Sequence, residues 1–183
     1  MKIKNWPRGQ YGVILADPPW NFQTYTDKGL AKSAQRHYRC QSVDDICALP
    51  VGALAAKDCA LFLWVTWPMM FHAPRVLDAW GFKFSGLAWE WIKHNPETDK
   101  FAFGLGFGTR KNLEPCLLAR RGNPKIQSRS ERDFMYAPRR SHSQKPDQQY
   151  ERIERMYDGP YLELFAAQKW LGWKGWGDGH KRK

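Results

Sequence analysis

The sequence predicts an α/β fold in which helices flank a single, mainly parallel β-sheet. Two observations lead to this prediction. Short, continuous apolar runs recur along the chain, and runs of this length are typical of buried strands. Segments with helical spacing of apolar residues separate several of these runs, and such an alternation is typical of parallel sheets. With 183 residues, of which 43% are hydrophobic, the chain is long enough for one folded domain over residues 1–183.

Five apolar segments are predicted to form strands. The first, Tyr11–Ala16, is almost entirely apolar and is followed directly by an acidic residue. The second, CALFLWVT, is a continuous apolar run of eight residues, and the third shows stretches with a period of two. The predicted strands cover residues 11–16, 59–66, 82–94, 114–122 and 161–166.

Three segments are predicted to form helices: residues 42–49, 68–80 and 145–158. Ser42 caps the first of them, and acidic residues follow in its first turn. Pro68 opens the second helix, and Pro146 fits the first turn of the third. In the third helix the spacing of Tyr150 and Ile153 places both on one apolar face.

The sequence also predicts three long loops, at about 21–41, 95–112 and 123–144, and a loop-like tail from residue 171. Loops of this length in a compact domain are usually functional or disordered. The third loop is strongly basic, and it includes Arg139 and Arg140. One interpretation is a flap that binds phosphates, and the alternative is an ordinary solvated loop.

Composition restricts the class of protein. A net charge of +11 favours an anionic partner such as nucleic acid or a membrane surface, and ten tryptophans suit a protein that handles flat rings. The longest uncharged run is too short to span a bilayer. The cysteines and histidines lack metal-ligand spacing, so we expect no metal site. Scattered cysteines without a secretory leader favour a cytoplasmic protein with reduced thiols.

The sequence Asp17-Pro18-Pro19-Trp20 follows the first predicted strand, where an open α/β sheet binds its ligands. Asp17 offers a carboxylate, the prolines hold their carbonyls in fixed directions, and Trp20 offers a stacking surface. An aromatic amine could donate its two protons to Asp17 and to the Pro18 carbonyl. Its lone pair would then point at an activated methyl carbon, so that orientation and fixed dipoles provide the catalysis. The alternative is a simple turn after a strand.

At these residues the chain resembles a known family. DPPW at 17–20, HYRCQSVDDI at 37–46, EPCLLARRG at 114–122, SQKPDQQYERIERM at 143–156 and LELFA at 162–166 occur in that order. The chain is similar to the S-adenosylmethionine-dependent adenine-N6 methyltransferases related to the catalytic subunit of the messenger-RNA methylase, with many bacterial and phage members that act on DNA. The resemblance implies a Rossmann-like class I methyltransferase fold, circularly permuted because the catalytic strand precedes the cofactor strand.

The resemblance implies S-adenosylmethionine as the cofactor and assigns residues to it. Residues 17–20 form the catalytic motif, in which Asp17 also borders the cofactor. Lys145 holds the methionine carboxylate, a role that suits a cation beside a helix N-terminus. The strand end at Glu163, Leu164 and Phe165 binds the cofactor, and Asp178 lies in a loop that contacts its sugar or adenine. Departures from the family pattern at Ala167 and Gly179 affect these sugar and adenine contacts.

The resemblance also implies a substrate side. The implied substrate-binding residues are Trp20, Asn21, Tyr38, Glu114, Arg139 and Arg140. Tyr38 matches an aromatic residue of the family's substrate gate, and Glu114 matches an acid that faces the target base. The alternatives are a packed tyrosine and a surface acid.

The leading interpretation is a DNA adenine-N6 methyltransferase. An RNA adenosine-N6 methyltransferase is an alternative, and a catalytically silent nucleic-acid-binding member is another. Silent members usually lose the catalytic Asp, and this chain retains Asp17. By analogy with small members of the family, the chain could act as a homodimer that builds the target channel between subunits.

Overall fold

The computed structural model describes residues 3–21, 40–102, 104, 106, 108–140 and 144–177. These residues form seven strands and three α-helices, together with 3-10 segments at Val51–Ala53 and Trp67–His72. The strands are β1 (Tyr11–Ala16), β2 (Ala55–Trp64), β3 (Lys83–His94), β4 (Leu113–Arg121), β5 (Phe134–Pro138), β6 (Tyr161–Leu164) and β7 (Trp173–Trp176). The helices are α1 (Val43–Cys47), α2 (Ala73–Trp80) and α3 (Gln148–Met156).

All seven strands belong to one sheet with the order β5-β3-β4-β2-β1-β6-β7. Strand β4 pairs antiparallel with both β2 and β3, whereas the other four strand pairs are parallel. In the described part of the chain, β4 is therefore the strand that runs against the other six. The predicted class, a Rossmann-like α/β fold with a mainly parallel sheet, is confirmed.

Two strands were missing from the sequence prediction. Strand β5 lies within the segment predicted as the basic loop 123–144, and β7 lies within the tail predicted as a loop. Both are short edge strands, so much of their surface remains exposed and no continuous apolar run marks them. In β5 only Met135 and Ala137 are buried, between exposed neighbours. The prediction of continuous loop in these two segments was wrong.

The predicted helices form with shifted bounds. Ser42 caps α1 through a capping box with Asp45. The segment from Pro68 begins as a 3-10 turn and becomes α-helical only at Ala73. Pro146 stands ahead of α3, and its carbonyl accepts the backbone N–H of Gln149 at 3.1 Å. The ends of α1 and α3 differ from the prediction by one to three residues, whereas α2 starts five residues later than predicted because the preceding segment is a 3-10 helix.

The core has two layers, one on each face of the sheet. Helices α1 and α2 cover one face, and the indole of Trp80 in α2 donates to the Ile46 carbonyl of α1 at 2.9 Å. Helix α3 covers the other face through Tyr150 and Ile153. Six of the ten tryptophans are at most 9% exposed. Most indoles therefore stabilise the core, and the tryptophan count is weak support for ring binding.

Candidate active site

The candidate site lies where β1 and β6 end side by side. The two strands are parallel and in register, with Ala16 opposite Leu164, so Asp17 and Phe165 leave the sheet next to each other. The Asp17 N–H donates to the Leu164 carbonyl at 3.4 Å. Phe165 has a left-handed backbone with φ of 62°, an uncommon conformation that concentrates at functional sites. The motif Asp17 and the strand end Phe165 therefore meet at one edge.

The chain that follows β7 packs closely on this edge. The Ala166 N–H donates to the Trp176 carbonyl at 2.9 Å. A Cβ at Gly177 would lie 2.4 Å from the Ala166 nitrogen and 2.6 Å from the Phe165 carbonyl carbon. Only glycine allows this approach, which explains the physical need for Gly177 before the acidic residue of the terminal WGD sequence.

A cleft opens at this edge. Its lining comes from the end of β1, the start of α3 and the segment after β6: Asp17, Gln144, Lys145, Gln149, Tyr150, Glu163, Phe165, Ala167 and Gln168. Among the predicted cofactor residues, Asp17, Lys145, Glu163 and Phe165 are thus brought together. Leu164 contributes only its backbone, because its side chain is fully buried in the core. Asp178 lies outside the described residues.

Four charged side chains form a continuous chain of ion pairs. The Lys145 ammonium lies 2.6 Å from Asp17 Oδ2 and 3.1 Å from Glu114 Oε1. The other Glu114 oxygen, Oε2, lies 2.5 Å from Lys93 Nζ. Lys145 is 8% exposed and its ammonium stands 5.3 Å from the centre of the Trp64 ring, so a cation–π contact adds to its anchoring. Acids and bases alternate, and each charge has an opposite neighbour.

The ion pairs set the pKa of each group. Burial acts to raise the pKa of Glu114, but Lys145 and Lys93 outweigh it and lower this pKa to about 2. Burial acts to lower the pKa of Lys145, but Asp17 and Glu114 raise it above its ordinary value. The pKa of Asp17 is raised, because burial and the Glu114 charge outweigh the attraction of Lys145. Lys145 therefore remains an ammonium that holds two carboxylates.

Glu163 lies in an opposite environment. Its carboxyl group is buried, and both of its oxygens lie 3.0 Å from the Tyr150 hydroxyl, which can donate one hydrogen bond. Burial raises the pKa of Glu163 to about 8, although the bond from Tyr150 acts to lower it. The carboxyl group retains unused hydrogen-bonding capacity and faces the cleft.

The prolines of the motif hold their carbonyls as the sequence predicts, but both carbonyls already accept one bond. The Pro18 carbonyl accepts the Trp20 N–H at 2.8 Å, and the Pro19 carbonyl accepts the Gln41 N–H at 2.9 Å. A carbonyl has a second lone pair, so Pro18 can still accept from a ligand.

Trp20 is packed more deeply than a stacking surface requires. Its indole is 3% exposed, belongs to the core under α1 and α2, and donates to the Trp64 carbonyl at 2.9 Å. Stacking of a base on Trp20 stays a prediction, and it requires the surrounding chain to open.

The remaining predicted substrate residues are dispersed. Glu114 lies at the centre of the ion-pair chain. Asn21 is exposed directly after the motif. Arg139 is exposed, and its backbone N–H donates to the His94 carbonyl at 3.0 Å. Arg140 forms an ion pair with Asp147, so it has a structural partner besides any phosphate. Tyr38 lies outside the described residues.

Sequence reasoning missed several polar residues of the cleft. Gln149 is 2% exposed and accepts the Trp64 indole N–H at 2.8 Å, while Tyr150 pairs with Glu163. Gln168 donates to Asp147 at 2.7 Å. Lys93 was also missed, although it lies near the end of β3 at the same edge as Asp17. A cation at the carboxyl end of a predicted parallel strand was the available signal.

The donor and acceptor set of the cleft fits S-adenosylmethionine. The Lys145 ammonium has three N–H donors. Two of them are directed at Asp17 and Glu114, and as far as the described residues go the third is available for a carboxylate. The buried Glu163 carboxyl group has one hydrogen-bond donor beside it, the Tyr150 hydroxyl. Ribose hydroxyls would satisfy its remaining hydrogen-bonding capacity. Within the described residues, no group of three His, Cys, Asp or Glu side chains could hold a metal ion, and no helix there is long and apolar enough to cross a membrane.

Fold and site together fit a Rossmann-like methyltransferase: the DPPW motif directly follows β1, and β6 lies beside β1 in the sheet. Comparison with known proteins agrees. The family model MT-A70 matches residues 11–179, and the chain belongs to the MT-A70 family. The predicted family and the predicted class of enzyme, an adenine-N6 methyltransferase, are thereby confirmed.

Proteins from distantly related organisms are similar to this chain in sequence. The chain is 30% identical to the type II methyltransferase M.MunI of Mycoplasma sp over 191 residues, which covers 93% of this chain and 78% of that protein. It is 33% identical to a probable N(6)-adenosine-methyltransferase MT-A70-like protein of Oryza sativa, over 86% of this chain and 21% of the relative. It is 31% identical to the human N(6)-adenosine-methyltransferase catalytic subunit METTL3, over 86% of this chain and 26% of the relative. The chain thus spans about a quarter or less of these two adenosine methyltransferases.

Proposed function

We propose that this protein is a DNA methyltransferase that transfers a methyl group from S-adenosylmethionine to the exocyclic N6 amine of adenine. The observation that carries the proposal is the position of Asp17: it directly follows β1 at the ligand edge of the sheet, beside Pro18 and the buried Lys145. When bound, S-adenosylmethionine supplies an electrophilic methyl group.

The residues of the chain would orient the amine. Asp17 can keep Lys145 on Oδ2 and accept one amine proton on its other oxygen. The second lone pair of the Pro18 carbonyl accepts the other proton. These two acceptors fix the direction of the nitrogen lone pair, and they stabilise the positive charge that develops on nitrogen as it attacks. The mechanism requires no strong base.

The cofactor side is assigned by the same contacts. Lys145 would hold the methionine carboxylate with its third donor, because Asp17 and Glu114 leave one donor over. Glu163 would bind the ribose hydroxyls, and Gln149 and Gln168 add amide groups to the cleft wall. Phe165, Leu164 and Asp178 would complete this side, with Leu164 acting through its backbone.

One feature supports DNA as the substrate, and a second suits nucleic acid in general. The similarity to M.MunI, by name a type II methyltransferase, extends over most of both chains. The net charge of +11 suits a polyanion, and binding should weaken as salt rises. RNA is the second candidate, supported by relatives named as adenosine methyltransferases that match 86% of this chain. The substrate base would be flipped from a duplex or taken from a single strand. Glu114, Asn21, Tyr38, Arg139 and Arg140 remain the proposed substrate side.

Replacement of Asp17 by Ala tests the proposal. We expect at least a hundredfold loss of kcat, because one of the two preplaced acceptors is gone, while calorimetry shows retained cofactor binding. The product is N6-methyladenine, measured by mass spectrometry of nucleosides from single-stranded DNA, double-stranded DNA and RNA. Asp17→Asn keeps the shape and one acceptor and should fall between wild type and Ala. Wild-type activity of Asp17→Ala would refute the assigned role, and a preference for RNA would refute the DNA assignment.

A further inference from the structure

An exposed aromatic strip lies on edge strand β5 and on the segment that follows β3, four strands from the strand that leads to Asp17. It consists of Phe101, Phe134 and Tyr136, whose exposed fractions are 61%, 49% and 40%. Phe134 and Tyr136 project from the same side of edge strand β5, because the intervening Met135 is buried on the other side. Phe101 stands edge-on to Tyr136, with ring centres 6.3 Å apart.

The Tyr136 ring is held in place before any ligand arrives. His94, the last residue of β3, stacks on one face of the ring with centres 4.4 Å apart and planes 15° apart. The hydroxyl donates to Asp99, whose carbonyl and carboxylate oxygens both lie at 3.0 Å. Asp99 also lies 2.9 Å from His94 Nδ1 and thereby links the two rings. With His94 on one face and Phe101 in a T-shaped contact, Tyr136 is still 40% exposed. A ring fixed in this way loses little entropy when a flat partner stacks on it.

The charges around the strip favour a polyanion. Exposed cations are present on the same connecting segments, among them Lys100 next to Phe101 and Arg139 just after β5. Acids are present too: Asp99 is paired with Tyr136 and His94, whereas Asp133, directly before Phe134, is exposed, and Glu90 lies across from Phe134. A second copy of this basic chain would bring like charges together here. Base stacking on an aromatic ring beside cations is the usual way to bind a single strand.

The strip is connected to the site but separate from it. Lys93 precedes His94 in β3 and holds Glu114, which in turn holds Lys145 beside Asp17. Strand β5 lies four strands from β1, which corresponds to roughly 19 Å at about 4.8 Å per strand. Neighbouring stacked bases of a nucleic acid are only about 3.4 Å apart. The strip is therefore too far from Asp17 to contact the target base itself.

We propose that the exposed part of the Tyr136 ring, flanked by Phe101 and Phe134, binds one unpaired base of the nucleic-acid strand several nucleotides from the target adenine. This inference rests on the proposed function for the existence of a nucleic-acid substrate. It adds a subsite that fixes the path of the strand across β3 and β5 and contributes to binding rather than to chemistry.

An abasic scan tests this subsite. The probe is a fluorescent single-stranded DNA with one adenine among thymines, in which a single abasic position is moved along the strand. For the wild type we expect one position away from the adenine where loss of the base weakens binding about fivefold to a hundredfold. Tyr136→Ala should bind the intact probe as weakly as wild type binds that abasic probe, with no further loss at that position. Tyr136→Phe keeps the ring and removes the hydroxyl, whereas Tyr136→Leu keeps apolar bulk and removes the ring. Only the Phe variant should still show weaker binding at that abasic position.

Phe71→Ala is the matched control, since Phe71 is 94% exposed on the 3-10 segment before α2. It should leave the scan unchanged. Identical scans for wild type and Tyr136→Ala, or a flat wild-type scan, would overturn the inference. So would sedimentation showing that Tyr136→Ala converts a dimer to a monomer without altering the scan. The proposed function fails separately, if the wild type forms no N6-methyladenine on the intact probe although the scan shows the expected position.

Discussion

Glu114 and Glu163 are two buried carboxyl groups beside the same Asp17–Lys145 pair, and their environments are opposite. Glu114 has two ammonium groups within 3.1 Å, from Lys93 and Lys145. Among the residues that the structure describes, the hydrogen-bond partner of Glu163 is the Tyr150 hydroxyl, at 3.0 Å. The pKa of Glu114 falls to about 2, although burial acts to raise it, and burial raises that of Glu163 to about 8. Cations within reach, rather than burial alone, decide the charge of each group.

The difference suits two tasks. Glu114 stays ionised at any physiological pH, so it is a fixed negative charge that holds Lys145 in position. Glu163 carries a proton near neutral pH and can both donate and accept, which suits a partner such as a sugar hydroxyl. One end of the site is therefore electrostatic and rigid, and the other is a neutral hydrogen-bonding end.

Among the substitutions that test this contrast between Glu114 and Glu163, loss of Lys145 should lower the unfolding free energy most. Lys145→Met keeps the length of the side chain but leaves Asp17 and Glu114 as neighbouring buried acids, and the remaining cation, Lys93, pairs with Glu114 alone. Removal of one partner of a buried ion pair usually costs about 3–5 kcal/mol of unfolding free energy. Urea unfolding at pH 7 measures it, with exposed Lys57→Met as the control. A loss no larger than that of the control would show that Lys145 does not hold the two acids.

Glu163→Gln should abolish the part of the pH dependence of the unfolding free energy that comes from Glu163. The folded-state pKa of Glu163, about 8, lies above its unfolded value near 4.5. The proton therefore stabilises the fold fully below pH 4.5, and this stabilisation is lost as pH rises to 8, at up to about 1.4 kcal/mol per pH unit. Gln is neutral throughout, so the variant lacks this slope.

Urea unfolding at pH 5 and pH 8 measures the slope in both proteins. Subtracting the slope of Glu163→Gln from that of the wild type leaves the contribution of Glu163, because the other titrating groups are common to both proteins. Tyr150→Phe is the matched control: it removes the bond that lowers the Glu163 pKa and should keep the pH dependence. Equal slopes for wild type and Gln would mean that Glu163 is already ionised at neutral pH.

The sequence predicts some of this site because local patterns carry it. Asp17 follows a continuous apolar strand, and Glu163 interrupts one, so each stands out in its own segment. Their common edge then follows from the alternation of strands and helices. The pairing of Lys145 with Asp17 could not be read in this way, because it joins residues 128 apart in the chain.

Other parts of the site were hidden for related reasons. Trp20 looked available for stacking, yet its burial depends on packing against residues from β2 and the helices. Strand β5 was hidden because alternate residues on an edge strand remain exposed. The exposed members Phe134 and Tyr136, which obscured the strand, are the residues that form the aromatic strip.

Lys93→Met should have a smaller effect, and it tests whether two cations are needed for Glu114. Glu114 would retain Lys145 at 3.1 Å but lose the donor at 2.5 Å, so its pKa should rise from about 2 toward its ordinary value. A depressed pKa gives stability that is present above pH 4.5 and lost as pH falls through about 2. The acid-unfolding midpoint should therefore move to higher pH.

Lys93 is 28% exposed, and solvent screens its charge, so we expect a loss of only about 1 kcal/mol at pH 7. Lys93→Arg keeps the cation and should retain the acid-unfolding midpoint of the wild type. If Lys93 acted only by filling space, Met would preserve that midpoint at least as well as Arg. An unchanged midpoint in Lys93→Met would mean that Lys145 alone keeps Glu114 ionised. The contrast with Glu163 would then depend on a single ammonium group.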